Sequence, residues 1–252
     1  MSAGHSGRIG PITTARIAGG LYLSFMAASV LADLFAHIGL GTARQVYDAI
    51  GTDPASFRLG LVFGFLSAFL FLMAAWGLYV LLRPVNRDVA LLFLALNAVG
   101  VAVQCASMLP LVSAMLMGGP AGGLPSFEGT QAESLVLLSV SVYKLGFVAA
   151  QLFFGTWLFP LGYLVFRSGL LPRVLGILLI LDGIAEVVWF LQAFLLTDYP
   201  AIRVPGTYVS LVAEVGLALW LLVRGIRVPR IAPAAVVPPT SDAAGTSEGP
   251  SA

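Results

Sequence analysis

Residues 59–82 read L-G-L-V-F-G-F-L-S-A-F-L-F-L-M-A-A-W-G-L-Y-V-L-L and contain no charged side chain. A helix needs about 20 mainly apolar residues to cross roughly 30 Å of membrane hydrocarbon, so this segment is long enough to span. Arginines flank it on both sides, at Arg58 and Arg83. The segment is therefore predicted to be a transmembrane helix.

Five more segments of this kind lie elsewhere in the chain. Of its 252 residues, 59% are hydrophobic and only 10% are charged, whereas soluble domains carry about 25% charged residues. We therefore predict an all-α fold, an integral membrane bundle of six transmembrane helices. The predicted spans are Ile17–Leu40, Leu59–Leu82, Val89–Met115, Ala132–Phe166, Val174–Leu196 and Thr207–Ile226.

The composition also argues against several classes of function. The net charge is +1, with 13 basic and 12 acidic residues, so a nucleic-acid partner is not expected. The single cysteine, Cys105, excludes an intramolecular disulfide and any site built from several cysteines. The chain has two histidines and no H-E-x-x-H pattern, and we expect neither a metal nor a cofactor.

The arginines between the spans predict the orientation of the bundle. With the N-terminus in the cytoplasm, most arginines lie inside and three lie outside (Arg44, Arg58 and Arg203), which agrees with the positive-inside rule. An even number of spans returns the C-terminus to the cytoplasm. We predict a flexible cytoplasmic N-terminus over residues 1–15, a transmembrane domain over 16–228 and a disordered cytoplasmic tail over 229–252. The expected location is the plasma membrane of a bacterium.

Two connections and one long span refine this picture. Short segments bounded by arginines, Arg83–Arg87 and Arg167–Arg173, predict tight helical hairpins. The fourth span is too long for a bilayer, since its roughly 35 residues make about 52 Å of helix. Residues 132–142 are therefore expected to project outward or to tilt. Residues 41–57 are predicted to be a polar connection, and residues 118–130 a mobile glycine-rich one.

Polar side chains inside the spans are the natural candidates for function. Such groups are costly in lipid and are usually paired or face a cavity. Spacings of four or seven residues put several of them on common helix faces. We expect them to point inward around a shared polar chamber. They are Asp33, His37, Asn97, Gln104, Lys144, Gln151, Asp182, Glu186, Gln192 and Glu214.

Asp182 and Glu186 are the candidate catalytic residues. They lie one helical turn apart near the middle of the fifth span, with Trp189 on the same face. Two buried carboxyls this close cannot both ionise cheaply, so at least one is expected to hold a proton. Such a group can act as a general acid or as part of a proton relay. The third alternative is a structural pair satisfied by Lys144, Gln104 or Asn97.

Candidate ligand-binding residues come from several spans. Asp33 and His37 are four residues apart, and a helix-internal hydrogen bond is the main alternative for this pair. A metal site there is disfavoured because His37 has no second histidine within reach. Asn97 and Gln104 are typical of interhelical hydrogen bonds worth about 1 kcal/mol each. The candidate ligand-binding set is Asp33, His37, Gln104, Gln151, Trp189 and Glu214.

Three segments resemble a family of bacterial multi-pass membrane proteins known as domain of unknown function 4386. They are YVLLRPVNR at residues 79–87, FFGTWLFPLGYLVFRSGLLPRVLGILLIL at 153–181 and EVGLALWLLVRG at 214–225. The resemblance extends over about residues 15–225 and implies an integral membrane helical domain, with no agreed activity. Glu214 matches a position that is usually glutamate in the family, which implies a shared structural or ligand-binding role.

The chain departs from this resemblance directly after residue 181. The family mostly has small and aromatic residues there, whereas this chain has Asp182 and Glu186. The resemblance therefore implies that the acidic pair is a specialisation of this protein.

The leading hypothesis is a membrane protein that binds a small lipophilic molecule between its helices. Asp182 or Glu186 would act on that molecule by acid catalysis, in functional analogy to membrane-bound isoprenoid cyclases. The rival hypotheses are a proton-coupled small-molecule transporter and a non-catalytic membrane accessory protein. The lipid bilayer is the expected surrounding, and the sequence carries no signal for an oligomeric state.

Overall fold

A computed structural model describes residues 10–39, 41–118 and 130–226 of the chain. The predicted tail, most of the predicted N-terminus and nearly all of the glycine-rich connection lie outside the described residues. The regular structure in the described part is helical throughout. The helices are α1 (Pro11–Ala36), α2 (Ala43–Thr52), α3 (Pro54–Leu82), α4 (Arg87–Ser107), α5 (Leu109–Gly118), α6 (Thr130–Ser168), α7 (Arg173–Leu195) and α8 (Val204–Val223), with a 3₁₀ turn at Pro200–Arg203 before α8.

Six helical segments are long and apolar enough to cross a membrane, which confirms the predicted all-α multi-pass architecture. They are Pro11–Ala36, Pro54–Leu82, Arg87–Met117, Glu133–Ser168, Arg173–Leu195 and Pro200–Arg224. The first helix begins six residues before the predicted span, so residues 11–15 belong to α1 rather than to a flexible N-terminus. Pro11 is favourable at the first helical position because no intrahelical hydrogen bond needs its missing N–H there.

The spanning helices close into a ring. Following the contacts between elements, the order around the ring is α1, α3, α4, α6, α7 and α8, and α8 packs back against α1. An aromatic cluster from four of these helices fills the space between them. Its buried members are Tyr22, Phe71, Phe93, Phe154 and Trp157.

Local signals explain most helix boundaries. Asp53 caps α3 by accepting a hydrogen bond from the Ser56 amide (3.1 Å) and another from the Ser56 hydroxyl (2.6 Å). The Ser56 hydroxyl, followed by the backbone amides, lowers the pKa of Asp53 below its ordinary value. Gly169, in the predicted 167–173 turn, has a φ of +64°, a left-handed conformation that glycine adopts without strain.

The predicted polar connection over residues 41–57 contains a helix, α2. Its sequence signal is a capping box. The Thr42 hydroxyl accepts a hydrogen bond from the Gln45 amide (3.3 Å), and the Gln45 side chain accepts one from the Thr42 amide (2.7 Å). This pattern could have identified the helix from sequence.

The predicted third span consists of two helices, because the helix is interrupted at Met108 between α4 and α5. Pro110 lies two residues further along the chain, and a proline inside a helix removes one backbone hydrogen bond. The Met108 amide is shared between the Gln104 and Cys105 carbonyls, both at 3.2 Å.

Helix α6 is the longest element and runs unbroken through Pro160. Its first turns pack against α5 and α2. Together with the ends of α1 and α3, they form a second apolar cluster that includes Val46, Ile50, Leu111, Val136 and Val140. Arg44 of α2 bonds Glu133 of α6 at 2.7 Å. The extra length of α6 is therefore used to pack a cap of helices over one end of the ring.

Glycines bring α6 and α7 into close contact and set the position of the acidic pair. A Cβ atom on Gly183 would lie 2.8 Å from the Gly155 carbonyl oxygen, and one on Gly162 would lie 2.7 Å from that of Gly176. Backbones approach this closely only where side chains are missing. The register of α7, and with it Asp182 and Glu186, is therefore fixed against α6.

Candidate functional site

A cavity of about 330 Å³ lies between α7 and the start of α8. Its size is at the lower end of the range for small-molecule sites. We call it the α7–α8 cavity. Its lining residues are Ala185, Glu186, Trp189, Arg203, Val204, Gly206, Thr207, Tyr208 and Ser210.

Glu186 supplies the carboxyl group of this cavity. Its Oε1 accepts a hydrogen bond from the Ser210 hydroxyl at 3.1 Å, which links α7 to α8. Its Oε2 is buried and has no hydrogen-bond partner among the described residues. A buried polar atom without a partner costs free energy, so the second oxygen is available to a proton or to a bound molecule.

Asp182 lies one turn behind Glu186 and is not a lining residue of the cavity. The residue is fully buried, and neither carboxyl oxygen has a hydrogen-bond partner in the described part of the chain. The structure thus separates the two candidate catalytic residues. Glu186 can touch a bound molecule, whereas Asp182 can act only through its neighbours.

Glu214 joins the acidic pair from α8. Its Oε1 accepts a hydrogen bond from the Tyr22 hydroxyl of α1 at 3.1 Å. Its electrostatic neighbours include both Asp182 and Glu186. The three acidic residues, which we call the carboxyl cluster, are close enough for their charges to interact.

The side chains expected to satisfy Asp182 and Glu186 as a structural pair are not hydrogen-bonded to them in the described part of the chain. The Lys144 ammonium group donates to backbone carbonyls at the end of α1, those of Gly39 (3.3 Å) and Gly41 (2.5 Å) among them. Asn97 is fully buried, and its side-chain amide has no hydrogen-bond partner within the described ranges. Among the described hydrogen bonds, none joins Lys144, Asn97 or Gln104 to the carboxyl cluster. The predicted interhelical hydrogen bond of Asn97 is likewise not observed.

Beyond Tyr22, the interior is apolar toward the end of the bundle that carries the 83–87 turn. The Tyr22 ring packs against Phe25 and Phe71. On α1, α7 and α8, the buried side chains farther along are Ala15, Ala18, Leu175, Leu179, Leu217, Ala218 and Leu221. The carboxyl cluster is therefore bordered by the α7–α8 cavity on one side and by hydrocarbon on the other.

The cavity also contains residues that the sequence analysis did not single out. Arg203 is exposed, and its guanidinium lies 5.7 Å from the centre of the Trp189 ring, within cation–π range. Ser210 lies four residues before Glu214 on α8, the same one-turn spacing that pointed to the acidic pair. That spacing could have identified Ser210, whereas Arg203 lies in a 3₁₀ turn and follows no helical pattern.

The other predicted site residues lie elsewhere. Asp33 accepts a hydrogen bond from the Gly39 amide at 2.9 Å, and His37 ends α1 with a left-handed φ of 53°. Gln104 lines a separate cavity of about 50 Å³, together with Tyr143. Gln151 is buried on α6. The predicted polar residues therefore do not share one chamber, and from the candidate set only Asp182, Glu186, Trp189 and Glu214 come together.

The carboxyl groups of the site are also potential metal ligands. Among the described residues, no group of three histidine, cysteine or acidic side chains is arranged to hold a metal ion. The arrangement can instead exchange protons, hold a cation, or donate a hydrogen bond from a protonated carboxyl.

Comparison with known proteins identifies a family whose description assigns no function. A family model described as "Domain of unknown function (DUF4386)" matches residues 17–225. An uncharacterized protein of Archaeoglobus fulgidus is 28% identical over 167 residues, which cover 66% of this chain and 84% of that protein. No solved structure matches the chain. The matched segment includes five of the spanning helices in full and most of the first, and the chain belongs to the DUF4386 family.

Proposed function

We propose that this protein binds a small lipophilic molecule in the α7–α8 cavity, with Glu186 as its polar anchor. The observation that carries the proposal is the buried, unpartnered Oε2 of Glu186 beside a cavity of about 330 Å³ in the described part of the chain. Ligand sites typically combine an apolar wall with a few polar groups that orient the ligand. Here Trp189, Val204 and Ala185 supply the wall.

The proposed activity is acid-catalysed conversion of that molecule. A protonated Glu186 transfers its proton to a carbon–carbon double bond and becomes a carboxylate, and a carbocation forms on the substrate. Loss of a proton from a neighbouring carbon returns the proton to the carboxylate. The net reaction is an isomerisation or cyclisation that needs no co-reactant. Asp182 and Glu214 act as positioning residues that share protons and charge with Glu186.

We also propose a location and an orientation. The protein resides in the plasma membrane of a bacterium, with both termini in the cytoplasm. The support is the excess of arginines at the 83–87 and 167–173 turns and near the end of α8.

Binding is tested by filling the cavity. Val204 lines the cavity and is 48% exposed, so Val204→Trp should fill space without disturbing the core. Farnesol and geranylgeraniol are titrated into the detergent-purified full chain, and binding is followed by calorimetry. We expect saturable binding to the wild type and its loss in Val204→Trp. Val212→Trp, at a 57% exposed position of α8 that does not line the cavity, is the matched control.

Catalysis is tested with the same alcohols and product analysis by mass spectrometry. In heavy water, a carbon protonated by Glu186 should gain one deuterium. Glu186→Gln keeps the shape but removes the proton donor, and we expect conversion to fall by about a hundredfold or more. Glu133→Gln removes a carboxyl at the far end of α6 and should convert normally. Unchanged turnover in Glu186→Gln would refute the catalytic role.

Proton-coupled transport is the second candidate, because the carboxyl cluster carries three groups able to exchange protons. The apolar interior beyond Tyr22 disfavours a continuous path across the membrane. In proteoliposomes with a pH gradient, transport would move geranylgeraniol or farnesol unchanged, whereas the proposed function predicts binding without flux driven by the gradient.

A further inference from the structure

The region around Glu186 is rich in hydrogen-bond acceptors and poor in donors. Both oxygens of Asp182 and Oε2 of Glu186 are buried without a partner in the described residues. The donors that reach the carboxyl cluster are the hydroxyls of Ser210 and Tyr22. Buried carboxylates without donors are strongly unfavourable, so a complementary ligand is one that supplies N–H or O–H donors.

No basic side chain neutralises the carboxyl cluster in the described part of the chain. Lys144 is bonded to carbonyls at the end of α1. The cation that lines the cavity is Arg203, whose guanidinium lies over Trp189 and is exposed. A charge exposed in this way is screened by solvent more strongly than one inside the protein. Deeper in the site, the ionisable groups that interact electrostatically with Glu186 are acidic, namely Asp182 and Glu214.

The walls of the cavity suit an apolar body of moderate size. Trp189, whose ring also packs 6.0 Å from Phe147, contributes an aromatic surface, and Ala185, Val204 and Gly206 contribute small apolar contacts. Aromatic rings stabilise cations as well as hydrocarbon. A ligand with a compact hydrocarbon body and one cationic group would meet both features.

We infer that the α7–α8 cavity selects lipophilic molecules that carry a protonated amine. The ammonium group is bonded to Glu186 and faces the other two members of the carboxyl cluster. The ammonium supplies the missing donors and the missing positive charge. If the neutral amine enters from the lipid, it takes its proton from Glu186, and charge is conserved in the site. This inference rests on the proposed binding function. An ammonium also resembles the positive charge that a protonated hydrocarbon would carry there, which is the charge an acid catalyst must stabilise.

The test compares two molecules that differ in one group. 1-Adamantylamine and 1-adamantanol have the same hydrocarbon cage, with an ammonium in one and a hydroxyl in the other. Each is titrated by calorimetry into the detergent-purified full chain at neutral pH. We expect the amine to bind at least about tenfold more tightly than the alcohol. Glu186→Gln should remove this preference, because it should weaken binding of the amine far more than binding of the alcohol, whereas Glu133→Gln should keep it.

The outcomes separate the inference from the proposed function. If both molecules bind equally well and Val204→Trp abolishes both, the cavity binds lipophiles without selecting cations, and the inference is wrong. If the amine is preferred but Val204→Trp has no effect, the amine binds elsewhere, and the inference is again wrong. If neither molecule binds saturably to the wild type, the proposed binding function fails as well. If Glu186→Gln does not fold, the comparison of the wild type with Val204→Trp still decides whether the α7–α8 cavity selects the amine.

Discussion

Asp182 is the single residue whose burial is hardest to explain by stability. It is fully buried, and both carboxyl oxygens lack a hydrogen-bond partner in the part of the chain that the structure describes. Removing one partner of a satisfied pair is costly, whereas replacing an unpartnered buried polar group by an apolar one is often neutral or stabilising. Residues that lower stability in this way are characteristic of functional sites.

Replacing Asp182 therefore distinguishes function from structure. We expect Asp182→Leu to raise the free energy of unfolding by about 1 kcal/mol and to weaken amine binding at Glu186. Unfolding in denaturing detergent gives the first quantity and calorimetry the second. Gln192→Leu is the control on the same helix, because Gln192 is buried but donates to the Leu196 carbonyl at 3.1 Å, so its loss should destabilise. A similar loss in Asp182→Leu would show that Asp182 has a structural partner.

Among the elements, the α6–α7 pair does most to position the site. Its glycines allow the two backbones to touch beside Asp182 and Glu186. The same helix α6 extends beyond the ring to pack with α2 and α5. One helix therefore holds both the acidic helix and the cap over the end of the bundle opposite the 83–87 turn.

This contact predicts opposite effects for two similar substitutions. In Gly183→Ala the new methyl would lie 2.8 Å from the Gly155 carbonyl oxygen, so the helices must separate. The expected loss of unfolding free energy is about 1–3 kcal/mol. Gly51 is an exposed residue of α2, and a methyl group added there would have no atom within 4 Å, so Gly51→Ala should gain up to about 1 kcal/mol. Equal effects in the same unfolding assay would contradict the close contact as the cause.

For the whole molecule, the closed ring explains how a small bundle can hold polar groups at membrane depth, away from the lipid. Each spanning helix has two neighbours in the ring, and α8 completes it by packing on both α7 and α1. The carboxyl cluster lies at this closing point, with two members on α7, one on α8 and Tyr22 on α1 beside them. Charged groups within spans are tolerated when they face the interior of the bundle.

The orientation of the ring is tested with single cysteines in a Cys105→Ala background. Val85→Cys marks the short turn between α3 and α4, and Gly51→Cys marks α2 at the opposite end of the bundle. In intact bacterial cells, a membrane-impermeant maleimide should label Gly51→Cys, and it should label Val85→Cys only after permeabilisation. The reverse pattern would overturn the proposed orientation.

Sequence was sufficient for the class of this protein because the length and apolarity of a span are local properties. Six segments of the required length, such as residues 59–82, specify six spanning helices in any arrangement. The spacing of Asp182, Glu186 and Trp189 also places them on one helix face without knowledge of the neighbours. The Thr42–Gln45 capping box could also have identified α2 from the sequence, because a helix cap depends on four adjacent residues.

The grouping of the polar residues was decided by the tertiary structure. Which way a polar stripe faces depends on the packing partner of its helix, and no spacing within one helix encodes that partner. Packing of α8 against both α7 and α1 brings Glu214 and Ser210 to the acidic pair, whereas Asp33 and Lys144 hold the turn at the end of α1. The α7–α8 cavity forms only because these elements pack against each other, and the same packing places Arg203 at its edge.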